Sequence, residues 1–210
     1  APALALKLLQ LNAAELPGIA FGLFRDDLVA LVAERSVDCL DRVEVQELLA
    51  AIGHFGNFEL YARFGQFAPA YKCATTYRGL RQPSLNRLMQ GLRERSGCRF
   101  FERRSEATAL KACMSSTGLL LGLLSDQRAA AGVRLPFLGH ECSTSTAPAV
   151  FALRYRCPLH TAICYRVAPA CWRIEAGDEI PTRESGRPRP AMDIMADVNR
   201  AFDTAVRRDP

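Results

Sequence analysis

Two groups capable of proton transfer fall close together in the run HFGNFEL, where His54 and Glu59 are separated by Phe55, Gly56, Asn57 and Phe58. On a continuous helix, residues five apart point about 140° away from each other. The pair can therefore meet only if the backbone changes conformation between them. Gly56 supplies permissive backbone, and Asn57 is a good N-cap. The spacing predicts a strand, His54 on a turn, and a helix beginning near Phe58 with Glu59 in its first turn, able to fold back toward the imidazole. A carboxylate that accepts from one imidazole nitrogen fixes the tautomer and leaves the other nitrogen to take a proton from a hydroxyl. This is the acid–histidine half of a triad without a protein nucleophile, so the attacking group would be the substrate's own hydroxyl. A hydrogen-bonded structural histidine is the alternative that these residues alone leave open.

The surrounding pattern must position this pair. From about residue 48, short apolar runs alternate with amphipathic stretches. Strands are expected at 50–52, 71–77, 99–101, 119–124, 161–167 and 172–176, the last two paired. Helices are expected at 58–67, 84–95, 106–115, 147–155 and 192–206. In the second of these, Leu85, Leu88, Met89 and Leu92 share one side. Residues 181–190 read as a Pro/Gly/Arg loop. The first forty residues read as helices, with Leu4, Leu8, Leu9 and Leu11 on one face and Leu28, Leu31 and Val32 on another. Such alternation implies an α/β fold, a central and mostly parallel sheet flanked by helices. Ligands of such sheets bind outside the carboxyl ends of the strands. His54 follows one expected strand and Asp126 follows another, so both belong to the same edge.

Composition narrows the class. The chain has 210 residues, 49% hydrophobic and 23% charged, enough for one domain with a buried core. Net charge is +5, and lysine occurs only at 7, 72 and 111, so the basic residues are nearly all arginine. Arginine suits phosphate and carboxylate because its planar fork bonds two oxygens at once. The positive charge is scattered, without the aromatic–basic interleaving of an RNA-binding module, which argues against nucleic acid as a partner. The eight cysteines form no CxxC pair, and with three histidines no zinc spacing arises, so no metal site is expected. Most lie inside apolar runs, as buried thiols of a reducing compartment would. No run reaches the roughly 18 to 20 apolar residues of a membrane-spanning helix.

The blocks after His54 follow an order that is informative as a set. HFGNFEL resembles the opening block of the lysophospholipid acyltransferase superfamily, His, four residues, then an acid. Its Gly-Asn-aromatic-Glu-Leu form is similar to the lipid A biosynthesis acyltransferase branch. YRGLRQPSLNRLMQGLRERSG (77–97) resembles that branch's Arg-containing second block. LLSDQRAAAGVRLPFLG (123–139) resembles its Asp-Gln block and Pro-Phe loop, and STSTAPAVFALRYRCP (143–158) its Thr-containing helix. The resemblance covers about residue 48 to the end. It implies His54 as general base and Glu59 as its orienting partner. It implies Arg78 on a phosphate or other polar group of the acceptor, and Asp126 and Gln127 at the polar end of the site. Arg128 would contact an anion, and Thr144 would bond backbone or substrate.

The activity so implied is transfer of a fatty acyl group from acyl carrier protein or coenzyme A to a hydroxyl of a glycolipid or phospholipid acceptor. A lipid A precursor is the favoured acceptor, and no cofactor is required. Work would occur on the cytoplasmic side of the inner membrane. The protein would be peripheral there, or anchored by a segment outside this sequence. Residues 1–42 are expected as a helical segment packed on the core and 43–210 as the acyltransferase core. Phe58 stands where the branch usually has Trp, Ala147 where it has Gly, and Thr161 where a second proline is common. The stretch between Val43 and His54 is short, as if a helix and part of a strand were missing. The sequence opens without Met and ends at Arg207-Arg208-Asp209-Pro210, as a piece of a longer chain would. The competing readings are an acyltransferase for another lysophospholipid or glycolipid, and a catalytically impaired lipid-binding module.

Overall fold

The run LLLGLL at Leu119–Leu124 is apolar on both faces of its pleat, the pattern of a central strand covered on both sides. A computed structural model of the chain places it there. The structure describes residues 19–24, 27–32, 48–54, 56–63, 72–103, 105–115, 118–169 and 171–208. The strands are β1 (Ile19–Phe24), β2 (Asp27–Val32), β3 (Leu48–Ile52), β4 (Lys72–Tyr77), β5 (Arg99–Glu102), β6 (Leu119–Leu124), β7 (Val133–Phe137), β8 (His140–Thr144), β9 (Leu159–Ala168), β10 (Cys171–Glu179), β11 (Arg183–Glu184) and β12 (Arg187–Pro188). The helices are α1 (Pro83–Glu94), α2 (Ala107–Cys113), α3 (Ala147–Tyr155) and α4 (Ala191–Arg208), with a 3-10 helix at Phe58–Arg63. Eight strands form one sheet in the order β1-β2-β10-β9-β3-β6-β4-β5. Its pairings are parallel except β1–β2 and β9–β10. The fold is α/β, as expected.

Alternation along the central strands sorts side chains into two cores. Leu49 and Ala51 of β3, Ala74 of β4 and Leu119, Leu121 and Leu123 of β6 face the larger one, under α2, α3 and α4. Ala50, Ile52, Cys73 and Leu120 face the opposite way, against Tyr61 and Ala62 of the 3-10 helix. α4 follows Pro190 and seals the larger core with Ile194, Val198 and Phe202, an i, i+4, i+8 stripe of fully buried side chains. Gly122 lets Tyr61 lie across β6, because a Cβ there would come within 2.3 Å of the Tyr61 ring.

Four expectations change. Residues 19–32 form the β1–β2 hairpin, with Phe24 paired to Asp27. The face built on Leu28, Leu31 and Val32 is therefore strand, not helix. Short apolar runs do not distinguish the two by periodicity. The helix placed on Leu4 to Leu11 lies outside the described residues. β3 begins at Leu48, two residues before the expected start, and residues 43–47 of the stretch read as short lie outside the described residues. β3 pairs with β6 over all five residues and with β9 over Leu49 to Ile52. The segment read as a Pro-Phe loop is the β7–β8 hairpin, which turns at Leu138 and Gly139, both at positive φ. The helix expected at 58–67 is a 3-10 helix ending at Arg63, and 64–67 lie outside the described residues. Among the described residues no disulfide is present, and no helix is long and apolar enough to cross a membrane.

Candidate active site

Parallel neighbours in register bring their carboxyl ends level. Ile52 of β3 pairs with Leu124 of β6, and two residues beyond each lie His54 and Asp126. The Ser125 N–H donates to the Ile52 carbonyl at 3.0 Å, and its buried hydroxyl donates to the Leu123 carbonyl at 2.7 Å, which pins the start of the loop. Farther along, the Ser143 hydroxyl donates to the Ala129 carbonyl at 2.6 Å, and the Ala129 N–H donates back to Ser143 at 2.9 Å. Asp126 thus sits on a loop tied at both ends.

The Asp126 carboxylate holds His54 at two points. Oδ2 accepts the His54 backbone N–H at 2.7 Å, and Oδ1 meets ring Nδ1 in a short hydrogen bond. With Nδ1–H donated to the carboxylate, the tautomer leaves the lone pair on Nε2. The two side chains are only 20% and 13% exposed. The edge of Phe58 packs against the imidazole, with ring centroids 5.0 Å apart. In this geometry Asp126, rather than Glu59, is the carboxylate that contacts the imidazole.

Glu59 faces elsewhere. Gly56, at φ 63°, turns the chain against β9, where even a Cβ would lie 1.8 Å from the Cys164 carbonyl oxygen. The 3-10 helix that follows opens with the Leu60 N–H on the Asn57 carbonyl at 3.0 Å and carries Glu59 toward α1. There Arg93 takes its carboxylate with two donors, Nη2 to Oε1 at 2.5 Å and Nε to Oε2 at 3.3 Å. The Arg93 guanidinium also lies over the rings of Phe100 (5.0 Å) and Tyr77 (5.9 Å). A planar fork matches a carboxylate better than the single N–H of an imidazole already engaged by Asp126. This corrects the expected contact between Glu59 and His54.

His54 and Glu59 nonetheless line one cavity of about 340 Å³. Ile52, Phe58, Met89, Phe100 and Leu124 make its apolar wall, and Arg78, Arg93, Arg103 and Arg128 make it cationic. Arg78 follows β4 directly, at the same sheet edge, and is exposed. Gln127 and Arg128, also exposed, border this cavity and a second one of about 270 Å³ on the far side of the Asp126 loop. Thr144 lines only the second cavity. Buried there, its hydroxyl accepts from Asn199 of α4 at 3.1 Å, and the same amide donates to the Pro136 carbonyl, so Thr144 links α4 to the β7–β8 hairpin. Arg93, Tyr77 and Phe100 were not anticipated as site residues. Arg93 falls within the 77–97 block, but nothing in its spacing tells which carboxylate it meets 34 residues away.

Beneath the cavity lie neutral groups. Burial, aided by the nearby Cys73 and Cys98, raises the Tyr61 phenol well above its usual range. Burial likewise raises the Cys98 thiol, helped by Cys73 and Glu59. Burial pushes Cys164 up to about 11, although the Asn57 backbone N–H pulls the other way. Among the described residues no three His, Cys, Asp or Glu side chains lie together as metal ligands would.

An imidazole fixed by a carboxylate, its other nitrogen without a partner among the described residues beside an apolar and cationic cavity, is equipped to take a proton from a hydroxyl. No curated protein matches the chain. The family model for bacterial lipid A biosynthesis acyltransferases matches residues 36–210, and with that span the chain belongs to this family and is an acyltransferase of the lipid A kind.

Proposed function

We propose that the chain transfers a fatty acyl group from a thioester, on acyl carrier protein or coenzyme A, to a hydroxyl of a lipid A precursor at the cytoplasmic face of the inner membrane. The single observation that carries this reading is the two-point hold of Asp126 on His54 at the carboxyl ends of β3 and β6. The acceptor hydroxyl attacks the thioester carbonyl as its proton passes to His54 Nε2. Asp126 stabilises the imidazolium that forms. The tetrahedral intermediate then expels the carrier's thiolate, which recovers the proton from Nε2. The reaction balances without a metal or organic cofactor.

In this reading the apolar wall takes the start of the acyl chain, and Arg78, Arg93 and Arg128 meet phosphates of the acceptor or carrier. Glu59 serves the reaction by holding Arg93. An arginine-rich surface also suits an acidic carrier protein.

The test presents acyl-carrier and coenzyme A thioesters to the purified chain with several lipid acceptors. Transfer to a phosphorylated glycolipid is expected. His54→Ala should lower it by about 10²- to 10⁴-fold with the fold intact. Transfer confined to non-lipid acceptors, or an unimpaired His54→Ala, would overturn the reading.

A further inference from the structure

Two helices of this chain are similarly amphipathic, and only one of them buries its apolar stripe within the protein. α4 sets Ile194, Val198 and Phe202 into the larger core. α1 carries Leu85, Leu88, Met89 and Leu92, yet none of its described side chains is buried. Leu85 is 47% exposed and Leu88 59%, and Leu80, in the turn before the helix, is 49% exposed. A helix of this length is marginal in water unless its apolar face finds a partner.

Charge accompanies the leucines. Residues 78–95 contain five arginines and a single acid, Glu94. Arg78, Arg81, Arg87 and Arg95 are exposed. The same stretch borders the His54 cavity through Arg78, Leu80 and Met89.

We infer that α1 and the turn before it dock on an anionic lipid bilayer. Leu80, Leu85 and Leu88 enter the boundary between headgroups and acyl chains, and the arginines bind lipid phosphates. Apolar side chains interleaved with cations along one helix are what an anionic bilayer surface satisfies, hydrocarbon below and negative charge above. A second copy of the chain fits poorly, because a twofold contact would set this arginine-rich patch against itself. The benefit to the enzyme rests on the lipid acceptor proposed above: a lipid hydroxyl would reach His54 without leaving the membrane. The docking itself does not depend on it.

The experiment is co-sedimentation of the full chain with vesicles of phosphatidylcholine, with and without phosphatidylglycerol. Leu85→Gln/Leu88→Gln keeps good helix formers at both positions, and circular dichroism verifies the fold. Binding should require phosphatidylglycerol. It should fall by more than tenfold in the double variant, and by about fivefold in Arg87→Gln, the loss of one arginine at the surface. Transfer to a detergent-dispersed acceptor should be unchanged in these variants, since none of the three residues lines the His54 cavity. Vesicle binding equal to wild type in the variants overturns the inference. So does retained vesicle binding with loss of acyl-carrier-protein binding, which would mark a carrier dock, or with loss of self-association, which would mark a dimer face. Absence of acyl transfer with vesicle binding as expected would overturn the proposed function and leave the docking surface standing.

Discussion

A carboxylate raises the usefulness of an imidazole by holding one nitrogen and stabilising the charge that develops on the ring, so the identity of that carboxylate decides which variant damages the chemistry. Asp126 holds both the backbone and the ring of His54, whereas Glu59 is bound by Arg93. Asp126→Asn should therefore lower turnover by about 10²-fold or more, because the amide no longer stabilises an imidazolium. Stability double-mutant cycles separate the two carboxylates without involving catalysis. Glu59→Gln and Arg93→Gln should couple by about 0.5–1 kcal/mol, a modest value because the Glu59 carboxylate is 38% exposed. Glu59→Gln and His54→Ala should instead add within about 0.5 kcal/mol. Strong coupling of Glu59 to His54 in urea unfolding would restore the pairing that the spacing suggests. The sequence made His54 and Asp126 legible as occupants of one sheet edge, since each follows a recognisable apolar strand. It could not disclose the choice of partner. That depends on the pitch of a 3-10 helix and on an arginine that α1 brings from a distant part of the chain.

At the scale of elements, the turn after β3 carries the most constraint. Gly56 occupies left-handed backbone at φ 63°, and a methyl group there would overlap the Cys164 carbonyl of β9. Backbone of the kind only glycine adopts readily and a clash with a fixed strand add in the same direction. Gly56→Ala should cost about 2–4 kcal/mol, read as a lower urea midpoint, with loss of transfer as β9 and the His54 turn separate. A midpoint within experimental scatter of wild type would mean that the turn and β9 relax without cost. The permissive role of Gly56 was readable from the sequence, because a glycine between a strand and a cap has few other uses. β7 and β8 were not: Pro136 within the run and the brevity of each strand mimic a loop. The Leu28 to Val32 run has the same ambiguity, since five apolar residues serve a strand or a short helix alike. α1 was placed well by its leucines and Met89, but periodicity reports only that a face is apolar, never what covers it.

Among the described residues the sheet separates two cores, and the one that holds Tyr61 and the buried cysteines sets the response to alkali. On the face away from α2, α3 and α4, space is filled by Tyr61, Cys73 and Cys98, and beside them by Cys164 against Leu60. These groups pack as small apolar units only while protonated, and burial keeps Cys98, Cys164 and Tyr61 protonated above their ordinary ranges. The sign of the consequence follows from proton counts. Below the ordinary thiol value of 9.0, folded and unfolded chains hold the same Cys164 proton, so this group leaves stability independent of pH. Between 9.0 and about 11 the unfolded chain loses that proton while the folded chain keeps it. The unfolded state then binds fewer protons, and stability falls as pH rises. Cys98 acts in the same sense from the same starting value, and Tyr61 from 10.0 upward. The urea midpoint should therefore decline through this window, with the decline shallower in Cys164→Ala and shallower still when Cys98→Ala is added. The alanines lower the midpoint below pH 9.0 through lost packing, so the slope, not the absolute value, carries the result. A midpoint that stays level from 9.0 to 11, or a slope untouched by both substitutions, would show that this core opens to water before its thiols ionise.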